Sequence, residues 1–127
     1  MRDALALAQM PPSGIDYVNA HGTSTPMNDA AEASAFQTVF GHPGPWIGST
    51  KAVTGHTFGA AAALEAILCV LALGAGEAPP SAACLQPDPR LPLRLALNGP
   101  APLEAPAAMS TSLGFWGNAA ALIFTAP

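Results

Sequence analysis

From Ala60 to Gly76 every residue is apolar or glycine except one, Glu65. A run of that length folds either as a membrane span or as a buried helix. The acidic residue inside it, the preponderance of Ala and Gly, and the lack of a basic flank all argue against a span. A buried helix, closed by Gly74 and Gly76, puts the Glu65 carboxylate in the interior, where it needs a cation. The chain has one lysine, Lys51, and its arginines, Arg2, Arg90 and Arg94, lie in unlike contexts. A Lys51–Glu65 pair is therefore expected; the alternative is a Glu65 that faces solvent and pairs with nothing.

The rest of the chain must wrap that helix. Arg2 to Met10 has helical Ala/Leu spacing and stops at Pro11-Pro12-Ser13-Gly14. Ile15 to Asn19 reads as a short strand and His21 to Thr25 as a loop. A helix capped by Asn28 or Asp29 runs to about Phe40. A turn from Gly41 to Pro45 leads into a strand from Trp46 to Ser49, and the Lys51 segment is again a loop. Thr57 or Gly59 opens the apolar helix. Glu77 to Pro106 is proline-rich, with one strand expected at Leu93 to Leu97. Strands at Ala108 to Leu113 and Ala120 to Thr125 close the chain around a hairpin turn, Gly114 to Asn118. This order predicts an α/β fold, a mostly parallel sheet with an antiparallel edge. Because the first element is a helix, the chain reads as one piece of a larger unit.

Composition narrows the functions. The 127 residues carry a formal charge of −4, with only 9% charged, so no basic face exists for nucleic acid. Cys69 and Cys84 show no metal or redox spacing and read as reduced thiols, Cys69 as a small core residue. No secretory leader pattern precedes Ile15. A cytoplasmic protein with no membrane span is the expectation.

The chemistry concentrates in two loops. His21 is followed by Gly22, which permits close backbone approach, and by hydroxyls at Thr23, Ser24 and Thr25. His56 stands before the apolar helix, where a neutral imidazole can donate a hydrogen bond to a carbonyl oxygen. In an α/β sheet, ligands sit beyond the carboxyl ends of the strands, and both loops lie there. Asp29 and Glu32 read as acids favoured in the first turns of a helix, and His42 as a surface turn residue. A metal site through His21, His42 and His56 lacks a carboxylate or thiolate at ligand spacing, so no metal is expected.

Two segments carry a resemblance. Tyr17-Val18-Asn19-Ala20-His21-Gly22-Thr23-Ser24-Thr25-Pro26-Met27-Asn28-Asp29, with Glu32, resembles the first histidine motif of β-ketoacyl-acyl-carrier-protein synthases. Ser49-Thr50-Lys51-Ala52-Val53-Thr54-Gly55-His56-Thr57-Phe58-Gly59-Ala60-Ala61 resembles their lysine and second histidine motif, and the spacing to Glu65 also fits. The resemblance implies a thiolase-like fold. Residues 1–127 would form its carboxyl-terminal βαβαββ-type half, a mixed sheet flanked by helices, without the first strand or the amino half. It implies a decarboxylative Claisen condensation of malonyl-acyl-carrier protein with an acyl thioester. His21 and His56 would hold the malonyl thioester carbonyl, and Lys51 with Glu65 would organise the site. Thr23 and Thr25 would bind the phosphopantetheine arm, and Phe115 would match the gate residue. No cofactor beyond that carrier arm is implied. The implied partners are acyl-carrier protein, an amino half or partner subunit, and further copies of the chain in a homo-oligomer.

Two departures stand out. The family's nucleophilic cysteine sits in its amino half, and neither Cys69 nor Cys84 has that context. The family's Gly-Phe-Gly-Gly-Thr-Asn is here Gly114-Phe115-Trp116-Gly117-Asn118-Ala119. Two rival readings are a non-catalytic partner subunit like the chain-length factors, which need not retain His21, Lys51 and His56, and a malonyl-thioester decarboxylase using the histidines alone.

Overall fold

The computed structural model describes residues 1–82 and 84–126. A short helix α1 (Arg2–Leu7) and a 3-10 turn (Pro12–Gly14) lead into β1 (Ile15–Asn19). Helix α2 (Pro26–Phe40), strand β2 (Trp46–Gly48), a one-turn helix α3 (Lys51–Thr54) and a 3-10 turn (Phe58–Ala60) precede α4 (Ala61–Ala75). A two-stranded ribbon, β3 (Glu77–Ala78) with β4 (Ala101–Pro102), is followed by β5 (Ala107–Leu113) and β6 (Ala119–Thr125). The main sheet has the order β2-β1-β5-β6. β1 pairs parallel with both β2 and β5, and β5 pairs antiparallel with β6. This is the mixed sheet with an antiparallel edge that the element order predicts.

Two apolar cores sandwich the sheet. On one face Leu5 of α1 and Phe36 of α2 pack with Ile15, Ile47, Ala107 and Met109. On the other, Cys69 and Ala72 of α4 pack with Tyr17 and Ala108. β1 is buried along its whole length, as a strand covered on both faces must be. Its carboxyl end is therefore fixed from both sides, and that is where the His21 loop begins.

Four expectations change. The Lys51 segment is a helical turn, not a loop: Gly55 N–H returns to the Lys51 carbonyl at 2.9 Å, and Gly55 leaves the turn at φ 71°. Helix α2 starts earlier than Asn28, with Thr25 as its cap and Pro26 in its first turn, a position where the missing proline N–H costs nothing. Leu93–Leu97 is not a strand. It makes one parallel bridge, Arg94 to Trp46, because its carbonyls divide between two neighbours: Arg94 O accepts from Ile47 and Ala96 O from Ser81.

The fourth change concerns α4. Only one stripe of it is buried, Ala61, Glu65, Cys69 and Ala72, one residue per turn on the sheet-facing side. Ile67, Val70 and Leu71 are more than half exposed. Phe58–Ala75 is long and apolar enough to cross a membrane, and the stripe laid on the sheet carries its one carboxylate.

Candidate active site

The carboxyl ends of β1 and β2 release two loops that are stitched together. Ser49 Oγ donates to the Gly22 carbonyl at 3.2 Å and accepts from Lys51 N–H at 3.4 Å. Asn19 Nδ2 donates to Thr50 Oγ1 at 3.2 Å. Gly22 makes this closeness sterically feasible. Its φ is 47°, and a Cβ there would lie 2.3 Å from Ser49 Cβ, so both conformation and space demand glycine.

Glu32 holds the His21 loop from beneath. Its carboxylate accepts the backbone N–H groups of His21 at 2.9 Å and Gly22 at 2.7 Å, Asn28 Nδ2 at 2.8 Å and Thr111 Oγ1 at 3.4 Å. A buried carboxylate is tolerated when its lone pairs are filled in this way. From the sequence, Glu32 is a helix-start acid that accompanies the His21 motif, with no anchoring role visible. The signal available was its place on the second turn of α2, facing back toward the loop that α2 terminates.

Lys51 Nζ meets Glu65 Oε1 in a buried ion pair, both side chains nearly inaccessible to solvent. The apolar helix thus receives its cation from α3, as the scarcity of charge predicts.

The two imidazoles converge. The ring centroids of His21 and His56 are 5.6 Å apart, with planes at 87°. Phe58 N–H donates to His56 Nδ1 at 3.3 Å. That bond assigns Nδ1 as acceptor and leaves the proton of neutral His56 on Nε2, free to donate. The phenyl ring of Phe58 stacks on His56 at 4.9 Å and 15°. His56 does not adjoin the α4 terminus as expected, since the Phe58–Ala60 turn lies between them. Burial, then the Lys51 ammonium and to a lesser degree His56, hold the His21 imidazole below its ordinary value, against the opposing pull of Glu32. His21 therefore remains a neutral donor to lower pH than a free imidazole.

A cleft of about 870 Å³ opens beside this group, with Thr23, Lys51, His56 and Cys84 among its walls. His21 is not one of the lining residues, nor are Thr25 and Phe115. The Thr25 hydroxyl accepts from Asn28 N–H at 3.3 Å as the α2 cap. Phe115 lies in the β5–β6 turn, 86% exposed, beside a Trp116 that is 99% exposed. Cys69 is wholly buried and its thiol is pushed up to about 12, by burial first and with Glu65 adding to it. It is a core residue and no nucleophile. Among the described residues no three His, Cys, Asp or Glu side chains gather as a metal site.

A model of the family described as beta-ketoacyl synthase, C-terminal domain, matches residues 1–84. The chain belongs to the β-ketoacyl synthase family. It is 38% identical to 3-oxoacyl-[acyl-carrier-protein] synthase 2 of Staphylococcus aureus over 126 residues, 98% of this chain and 30% of that protein. A beta-ketoacyl synthase from Burkholderia phymatum superposes with a TM-score of 0.94 at 35% identity, over 100% of this chain and 31% of the other. A type II polyketide acyl-carrier protein complex with its ketosynthase bound to the hexaketide superposes at 0.91 and 33% identity, over 99% and 31%. The fold is the thiolase-like α/β fold of these ketosynthases. The chain spans about a third of the length of the synthases it matches.

Proposed function

We propose that this chain is the carboxyl half of a 3-oxoacyl-acyl-carrier-protein synthase working in fatty acid or polyketide synthesis. The observation that carries this reading is the convergence of His21 and His56 at 5.6 Å, with the His56 donor proton on Nε2. Two imidazoles this close could both donate to one thioester oxygen and stabilise the charge that develops there. The malonyl thioester loses carbon dioxide, and its electron pair moves into an enolate whose oxygen both imidazoles hold. The enolate carbon then attacks the acyl thioester carbonyl. A carbon–carbon bond forms, and the cysteine sulfur leaves as thiolate. Lys51 and Glu65 fix the α3–α4 corner that presents His56. Thr23 faces the cleft where a phosphopantetheine arm would lie. Thr25, though it caps α2, keeps its hydroxyl proton to donate. Phe115 would close over the arm from the hairpin turn.

The nucleophile comes from outside this set, since Cys69 is buried in the core and Cys84 sits in the proline-rich segment, away from the strand-to-helix turn such a nucleophile needs. The working unit therefore pairs the chain with an amino half or partner subunit that supplies it. The unpaired edge of β6 and the bare outer face of α4 support that reading. On it, acyl-carrier protein delivers both substrates, no other cofactor takes part, and the assembly is a cytoplasmic homo-oligomer without a membrane span. The chain on its own would not take up an acyl group.

The test supplies a ketosynthase amino half bearing the cysteine and measures carbon dioxide release and 3-oxoacyl product from malonyl- and acyl-acyl-carrier protein. Loss of one such donor typically costs about 10²–10³ in rate. His21→Ala and His56→Ala should each fall in that range, and wild-type turnover in both variants would sink the assignment.

A further inference from the structure

Phe58 is out of place by every packing criterion. Its side chain is 80% exposed, and its backbone is left-handed at φ 50°, a conformation that a bulky residue adopts only under constraint. Gly59, the next residue, is free of such demand: no atom lies within 4 Å of where its Cβ would be. A glycine at 58 would remove the strain, but it would also remove the ring. That ring lies flat on His56 at 4.9 Å and 15°. His56 in turn meets His21 edge-on at 87°. Phe58 thus grips His56 twice, by its N–H on Nδ1 at 3.3 Å and by its ring on the imidazole face. The left-handed backbone is what lets one residue do both.

We propose that the phenyl ring of Phe58 is a positioning device, which holds the plane of His56 so that Nδ1 stays on the Phe58 N–H and the proton stays on Nε2. The Nδ1 bond restrains χ2, but at 3.3 Å it is long and by itself leaves the imidazole some freedom to swing. The stack removes that freedom. Phe58 touches no reacting atom on this view; it acts through His56. The significance of the clamp for catalysis rests on the function proposed above, but the clamp itself does not.

The test is spectroscopic and needs no turnover. In the full chain with 15N-labelled histidine, held near pH 8 so that free imidazole is neutral, long-range proton–nitrogen correlations report the tautomer of His56. The wild type should show the Nε2–H form in excess. Phe58→Leu keeps the N–H and removes the flat ring, and Phe58→Gly removes ring and strain together. Both should lower that excess by roughly two- to tenfold, the range expected of a stacked aromatic pair. Phe58→Tyr should restore it, while backbone amide spectra away from residues 55–60 stay unchanged. A wild-type His56 without the excess, a Leu variant that keeps it, or a Tyr variant that loses it would each overturn the proposal. So would loss of the fold in both the Leu and Gly variants, which would make the residue structural. Failure of the catalytic reading would appear separately, as unchanged turnover in His56→Ala.

Discussion

The histidine end of the sheet and the outer face of α4 are built on opposite rules. At the histidine end, most buried polar groups have a specific partner: Glu32 has the N–H groups of His21 and Gly22, Lys51 has Glu65 and Ser49 has Gly22, while Asn19 Oδ1 and Glu65 Oε2 are left without one among the described residues. On the outer face of α4, Ile67, Val70 and Leu71 are more than half exposed. The same helix contributes to both, since Glu65 and Cys69 on its inner stripe are among the most buried residues present. Loss of one partner at the first place strands another group away from water. Loss of a side chain at the second strands nothing. The contrast therefore predicts a steep ordering of mutational effects.

The largest effect belongs to the ion pair. Removing one member of a buried pair costs about 3–5 kcal/mol, because the other charge is left uncompensated. Lys51→Met and Glu65→Leu should each lose that much in chemical denaturation. The double variant should recover most of it, since an apolar replacement of the whole pair is often neutral. If each single change cost less than about 1 kcal/mol, an amount typical of an exposed pair, the contrast between the two regions would fail at its strongest point.

Next is Gly22. A Cβ there meets Ser49 Cβ at 2.3 Å with φ at 47°, and Ser49 cannot retreat without giving up its bond to the Gly22 carbonyl. Gly22→Ala should cost at least about 1–3 kcal/mol and spread the two loops apart. Glu32→Ala should act on the same loop by a different route, leaving the His21 and Gly22 N–H groups unpaired at about 1–3 kcal/mol. A crystal structure of either variant with the 5.6 Å imidazole separation unchanged would show that the network does not position the histidines.

A smaller effect follows from His21. Its folded value is lowered from 6.5, by burial first and then by Lys51. Between that lowered value and 6.5 the unfolded chain binds more protons than the folded one, so stability rises with pH through the window and is lost as pH falls through it. His21→Asn should flatten the difference in denaturation midpoint between about pH 7 and about pH 5.5. An equal slope in variant and wild type would mean that the imidazole is not perturbed by its neighbours.

Much of this arrangement was legible in the chain. Ile15–Asn19 stood out because β-type residues are bounded by Gly14 and the His21 loop, and the Lys51–Glu65 pair because charge is so scarce that each carboxylate has few candidates. Glu32 was not legible as an anchor, since its ligands are backbone N–H groups ten and eleven residues away, which leave no side-chain pattern. Thr25 read as a binding hydroxyl although Pro26 marks the helix start beside it. The Lys51 turn was missed because one turn of helix is too short to show a period. The half-bare state of α4 was hidden because an apolar run looks the same whether one face or both are covered.

The smallest effect is the one that separates the two regions most directly. Ile67 is 56% exposed, so Ile67→Lys should change the stability of the chain by no more than about 0.5 kcal/mol. Its consequence should lie in association instead, because exposed apolar clusters drive contact between molecules. Light scattering across a concentration series should show less self-association for Ile67→Lys than for wild type, and an added amino half should bind the variant more weakly. Burying Ile67 against a partner would also reverse the first result: in the complex the same substitution should cost several-fold more than in the free chain. A variant as destabilised in the free chain as Glu65→Leu would mean that the outer face is already packed, and the distinction between the two faces of α4 would be lost.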